Sequence, residues 1–284
     1  MREEPASDAA YASRLVKLSL QNGATGFMFS VSEITLSILK MLDQSDKDLY
    51  AIVPYAYEYV RLATRTGGLP SLAKRVVCQI AFSTNLLTVA TSMIGLVKVD
   101  PVAFLKTYLI YDISRIRSAS RKNARLKSVL LHEIVTEMGL AFNLDWLFKS
   151  YVDFLLKLKI RPGFETRNFA YLVNKFREWN IDFSQITIAA PFNKIGFQMN
   201  PSRIECEKAL DNVSGSEIVA MSILAAGYLR PSEAIEYIAN LPNITHVVVG
   251  VSRERHASET FRLLKQGLEP CSSMFNSDIV LDPK

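Results

Sequence analysis

Two parts of the sequence carry residues whose types and spacing could do chemistry. VVVGVSRERHASET, residues 247–260, runs from a β-branched stretch through Gly250 to Ser252, which predicts the cap of a new helix bearing Arg253 and Arg255 near its start. Bare N–H groups at a helix start beside guanidinium groups would hold an anion such as a phosphate. The same order of residues also makes an ordinary strand-to-helix corner. The second part is the pair SVLLHEI (128–134) and RPGFE (161–165), where Glu133 and Glu165 would end neighbouring strands and could work as an acid and base. His132 stands directly before Glu133. Adjacent strand residues face opposite ways, so an inward His132 and an inward Glu133 are alternatives unless the strand stops between them.

Other chemistries find no residues to support them. HExxH, paired-cysteine, GxSxG, Walker and GxGxxG patterns are all missing. His132, His246 and His256 are too dispersed for a three-histidine site, and His246, at the start of a strand, is expected on the stability face. Cys78, Cys206 and Cys271 are odd in number and scattered, which predicts neither a disulfide framework nor a metal site and fits a reducing cytoplasm.

The elements that must position these residues follow from hydrophobic period. Strands are predicted at 26–30, 49–56, 76–82, 128–134, 161–165, 186–192, 217–224 and 246–252. Helices are predicted at 34–42, 143–159, 169–179, 200–210 with Pro201 in its first turn, 231–241 and 256–267, with a further helical segment at 102–116. Strands alternating with helices imply parallel pairing through crossovers. Eight such units fit a closed (β/α)8 TIM barrel, an α/β fold with its active residues at the C-terminal ends of the strands. The reading is one domain: an N-terminal extension over 1–21, the barrel over 22–270 and a C-terminal tail over 271–284.

Composition limits the partners. With 49% hydrophobic and 21% charged residues the chain can bury a large core, and 33 Lys plus Arg against 28 Asp plus Glu leave a formal charge of only +5. That mild excess favours anionic small ligands over nucleic acid. RIRSASRKNARLK (115–127) has no aromatic residues among its charges and reads as a solvated helix end or loop. The uncharged run at 76–97 is long enough to span a bilayer, but its Gln, Ser, Thr and Asn residues predict a strand and a packed helix instead. A soluble protein is expected, and a homo-oligomer is compatible with the sequence.

With these units in order, the chain resembles a divergent aldo-keto reductase from about residue 22 to residue 265. SVLLHEI is similar to that family's fourth strand, KLKIRPGFETRNFAYL to its fifth unit, ITIAAPFN to its sixth strand, and MSILAAGYLRPSEAIEYI and HVVVGVSRERHASETF to its seventh and eighth units. The resemblance implies a nicotinamide cofactor, NADP, at the barrel mouth. It implies His132 on the carbonyl side, Tyr55 or Tyr57 at the position of the proton-donating tyrosine, and Thr166, Asn168 and Asn193 around the nicotinamide. It places Gly227, Ser252, Arg255 and Glu259 along the adenosine half.

The sequence also departs from the family pattern. Ser83 or Phe82 stands where the lysine of strand three is expected, Tyr50 stands near the aspartate position of strand two, and Ala189 replaces the glutamine of strand six. A phenol without a neighbouring cation keeps a pKa near about 10, too high for an acid at neutral pH. Three functions remain open on the sequence: a divergent oxidoreductase holding a nicotinamide or other phosphate-bearing ligand, a hydrolase or lyase using Glu133 and Glu165, and a non-catalytic binding or assembly barrel.

Overall fold

The structure, a computed structural model, describes residues 9–42, 47–55, 101–120, 125–268 and 278–281. Eight parallel strands close into a barrel in chain order: β1 (Gly26–Ser30), β2 (Asp48–Val53), β3 (Arg125–Leu131), β4 (Arg161–Glu165), β5 (Thr187–Pro191), β6 (Glu217–Met221), β7 (His246–Val249) and β8 (Asp278–Leu281). The TIM-barrel expectation stands, with two strands reassigned. β2 bonds directly to β3, with Asp48 opposite Arg125 and Val53 opposite Leu131. The strand expected at 76–82 lies outside the described residues. The eighth strand comes from the stretch read as a tail, with Asp278 opposite His246 and Val280 opposite Gly26. SVLLHEI therefore contributes the third strand and HVVVGVS the seventh.

The helices among the described residues are α1 (Ala9–Gln21), α2 (Glu33–Met41), α3 (Pro101–Ala119), α4 (Glu133–Ala141), α5 (Asp145–Lys157), α6 (Phe169–Glu178), α7 (Arg203–Leu210), α8 (Pro231–Ala239) and α9 (Glu254–Leu268). α1, from the N-terminal extension, packs against α9 and α2. The Tyr11 hydroxyl donates to the Ser252 carbonyl at 3.2 Å. Pro201 precedes the cap rather than opening its helix: Ser202 accepts the Glu205 N–H at 3.2 Å, and α7 starts at Arg203. Among the described residues no helix is long and apolar enough to cross a membrane; the run at 76–97 lies outside them.

Alternation along each strand builds two cores. Phe27 and Phe29 of β1 face the helices, in the same layer as Phe148, Phe164 and Phe176. Met28 points into the barrel with Tyr50, Ile52, Leu130, Ala189, Val219 and Val248. Gly163 on β4 is required by this interior. A Cβ there would lie 2.7 Å from Leu130 Cγ and 2.8 Å from Ser128 Oγ, so a larger residue would push β3 and β4 apart.

Candidate functional site at the barrel mouth

The site at the C-terminal ends of β3 and β4 exists because β3 stops before His132. The His132 N–H donates to the Val53 carbonyl of β2 at 2.8 Å, and the residue then caps α4. The strand expected to run to residue 134 is thus corrected: it ends at Leu131, and Glu133 is the first residue of a helix. Neither His132 nor Glu133 is a strand residue, so the alternation that set them against each other does not apply.

The cap fixes the state of the imidazole. His132 Nδ1 accepts the Ile134 N–H at 3.2 Å. A ring nitrogen that accepts carries no proton, so the neutral ring holds its proton on Nε2 and presents an N–H donor there. Burial lowers the pKa of His132; the Glu133 carboxylate opposes this shift and the Arg167 guanidinium adds to it. The ring is therefore neutral at physiological pH. It is a donor of the kind that polarises a carbonyl oxygen.

Glu133 and Glu165 do come together, but each is already engaged. Arg167 Nε donates to Glu133 Oε2 at 2.7 Å, and the Glu133 N–H donates to Glu165 Oε2 at 3.2 Å. The second bond sets a carboxylate against the positive end of α4.

Thr166 and Asn168 are gathered by a residue the sequence reading passed over, Glu137. Its Oε1 accepts the Thr166 hydroxyl at 2.7 Å, the Arg167 N–H at 2.9 Å and the Asn168 N–H at 3.3 Å. Its Oε2 accepts the Asn168 side-chain amide at 2.7 Å. Thr166 Oγ1 also accepts the Asn168 N–H at 2.9 Å. Arg167 was missed as well. The signal for Glu137 was its spacing of four from Glu133, which places both on one helix face once 133–141 is recognised as helical.

The remaining candidates lie apart from this group. Asn193 is buried and closes its own loop, donating to the Phe197 carbonyl at 2.8 Å and accepting the Phe197 N–H at 2.7 Å. Tyr55 is half-buried just beyond β2, while Tyr57, Phe82 and Ser83 lie outside the described residues. Gly227 follows β6 in a turn where Ala225, Ala226 and Gly227 all have positive φ, at 46°, 56° and 90°. Gly250 is exposed directly after β7.

The cap expected at Ser252 moves by one residue. The Arg253 carbonyl accepts the Ala257 N–H at 3.0 Å and α9 begins at Glu254, so Arg253 holds the cap position; the Ser252 side chain has no hydrogen bond among the described residues. Arg255 is spent along its own helix. Its Nε lies 3.0 Å from both Glu259 carboxylate oxygens, and the arginine side chain is 80% exposed.

The opposite end of the barrel holds a second polar group. Lys127 Nζ lies 3.3 Å from Asp48 Oδ2, 3.5 Å from Glu217 Oε2 and 3.1 Å from His246 Nε2, over the ring of Tyr50 at 5.4 Å. His246 opens β7 on this floor. The reassigned strands two and three do contain an aspartate and a lysine, but at their N-terminal ends and away from His132, so the positions expected for the family's aspartate and lysine are not filled by them.

Among the described residues no group of three or more His, Cys, Asp and Glu could hold a metal ion. Cys206 is buried with its thiol pushed up to about 11 by burial. Several residues assigned by resemblance to a nicotinamide dinucleotide already bond within the chain, with Asn168 Oδ1 and the Arg255 Nη groups left over among the described residues. Thr166 and Asn168 are bound to Glu137, Asn193 to its loop and Arg255 to Glu259.

Comparison with known proteins agrees on the fold. No family model matches the chain, and no curated protein matches it in sequence. Two solved structures from Pseudomonas aeruginosa, both provisionally assigned as aldo-keto reductases, superpose with a TM-score of 0.55. The first is 13% identical and the match covers 92% of this chain and 85% of that one; the second is 12% identical, with 92% and 84% covered. At that identity the likeness shows the fold alone: this chain is a TIM barrel, similar in architecture to those two proteins.

Proposed function

We propose that the protein binds a small carbonyl compound at the C-terminal mouth of its barrel, with His132 Nε2–H donating to the carbonyl oxygen, and that it is at most a slow NADP-dependent reductase. The observation that carries this reading is the cap at His132 Nδ1, which leaves a neutral, half-buried Nε2–H donor at the end of β3. The C-terminal ends of β2 and β3, Ile52–Val53 and Leu130–Leu131, carry neither an aspartate nor a lysine to acidify a tyrosine, which supports the second half. The carboxylate alternative draws less support. Glu133 is held by Arg167 and Glu165 by the start of α4.

Titration calorimetry with benzaldehyde and cyclohexanone tests the binding. His132→Asn keeps a cap acceptor but removes Nε2–H, and should weaken binding by up to about tenfold, the worth of one hydrogen bond. Equal affinity in parent and variant, or no carbonyl binding in the parent, contradicts the reading. Turnover of the same compounds with NADPH should stay below about 1 per second; a rate inside the usual range of about 1–1000 per second contradicts the second half.

A further inference from the structure

We infer that the barrel floor is a binding site for a primary ammonium ion, filled in the native protein by the chain's own Lys127. Among the described residues, acceptors from three strands converge on one nitrogen: Asp48 of β2 at 3.3 Å, Glu217 of β6 at 3.5 Å and His246 of β7 at 3.1 Å. The Tyr50 ring lies 5.4 Å away, within reach for a cation–π contact.

The orientation of the imidazole belongs to the same design. His246 Nδ1 lies 2.8 Å from Thr245 Oγ1, and that oxygen also donates to the Ile218 carbonyl at 3.0 Å and accepts the Ile218 N–H at 2.9 Å. With the hydroxyl proton committed to Ile218, the short contact requires the imidazole proton on Nδ1. Nε2 is then a lone-pair acceptor turned to Lys127. Two carboxylates, an imidazole lone pair and an aromatic face are complementary to R–NH3+, which has three donors and no acceptor.

Lys127 reaches this position through an irregularity of the sheet. Leu49 pairs with Leu126 and Tyr50 with Ser128, so the register shifts and Lys127 is the extra residue. Its side chain is only 14% exposed. The carboxylates do not depend on it alone: Arg125 Nε lies 3.3 Å from Asp48 Oδ1 and Arg161 Nε 3.9 Å from Glu217 Oε2. Removing the lysine should therefore leave a folded barrel with an ammonium-shaped hole.

Thermal melts of the full chain test this, using Lys127→Ala and Lys127→Met with butylammonium, tetramethylammonium or sodium chloride at matched ionic strength. Lys127→Ala should melt lower than the parent and regain at least half the loss with butylammonium, with neither control restoring it. Lys127→Met keeps an apolar stem and blocks the hole, so it should melt lower and gain nothing from butylammonium. If Lys127→Ala does not fold alone, butylammonium should allow refolding where sodium chloride does not. Parent-like melting of Lys127→Met, equal effects of all three salts on Lys127→Ala, or failure of butylammonium to restore or refold it overturns the proposal.

Discussion

The two ends of the barrel use similar residues differently. At the floor, charged side chains satisfy one another across strands β2, β3, β6 and β7, and Lys127 closes the group. At the mouth, carboxylates bind backbone N–H groups where strands turn into helices, as Glu137 does at the start of α6 and Glu165 at the start of α4. The floor groups are paired with one another through side chains. The mouth arrangement leaves His132 Nε2 and the Arg167 Nη groups without hydrogen-bond partners among the described residues. The comparison shows that an aspartate, lysine, tyrosine and histidine, the types used by a reductase, make a structural cluster when they start strands rather than end them.

The largest effect should come from breaking the floor. Lys127→Met leaves two mostly buried carboxylates without their shared cation and should cost about 3 kcal/mol in urea melts, the low end for a buried pair because Arg125 and Arg161 remain. Next comes Glu137→Ala at the mouth, which frees the Arg167 N–H and the Asn168 side-chain amide, while the Asn168 N–H keeps its bond to Thr166 Oγ1. A cost of about 2 kcal/mol is expected, less than the floor because water can reach the released donors. A larger loss at Glu137 than at Lys127 would reverse the comparison.

A smaller effect distinguishes the ends by pH. His132 has a folded pKa below its unfolded value, so the unfolded chain takes up the proton first. Its contribution is fully present above about pH 6.5 and is lost as pH falls through that value toward the folded one. Urea melts across this window should show the parent losing stability on acidification relative to His132→Asn, whose amide caps without titrating. Parallel curves for the two proteins would contradict the assigned cap.

The smallest effect is expected on α9. Arg255→Ala removes a pair whose arginine is 80% exposed and should change stability by less than about 0.5 kcal/mol. It should leave any NADPH affinity unchanged. A tenfold loss would restore 247–260 as an anion site.

Much of the architecture was legible because it rests on period. Short β-branched runs alternating with amphipathic stretches gave the barrel and seven of its eight strands in place, within a few residues at their ends. What failed was the arithmetic of which runs close it. The apolar run at 76–82 looks more like a strand than Asp278–Leu281 does, yet β8 is the element that bonds to β1 and β7. At the mouth, VLLHEI reads as one apolar run, and nothing local says that the chain turns at His132; the Nδ1 cap that stops it is a three-dimensional fact. That single misplaced boundary hid Glu137, whose partners lie about thirty residues ahead across the next strand. Arg253, Arg255 and Glu259 were legible as charges but not as a solvated face, since pairing at a spacing of four looks the same beside a ligand or in water.

The central claim is that His132 presents a protonated Nε2 to a carbonyl ligand, and nitrogen-15 NMR of the imidazoles measures it directly. The chain has only three histidines, so His132→Asn assigns the signal. The account predicts a neutral ring at pH 7 with its proton on Nε2, an unprotonated Nδ1, and a shift of the Nε2–H resonance as benzaldehyde saturates the site. A proton on Nδ1, or an Nε2–H resonance that does not move at saturation, would contradict it.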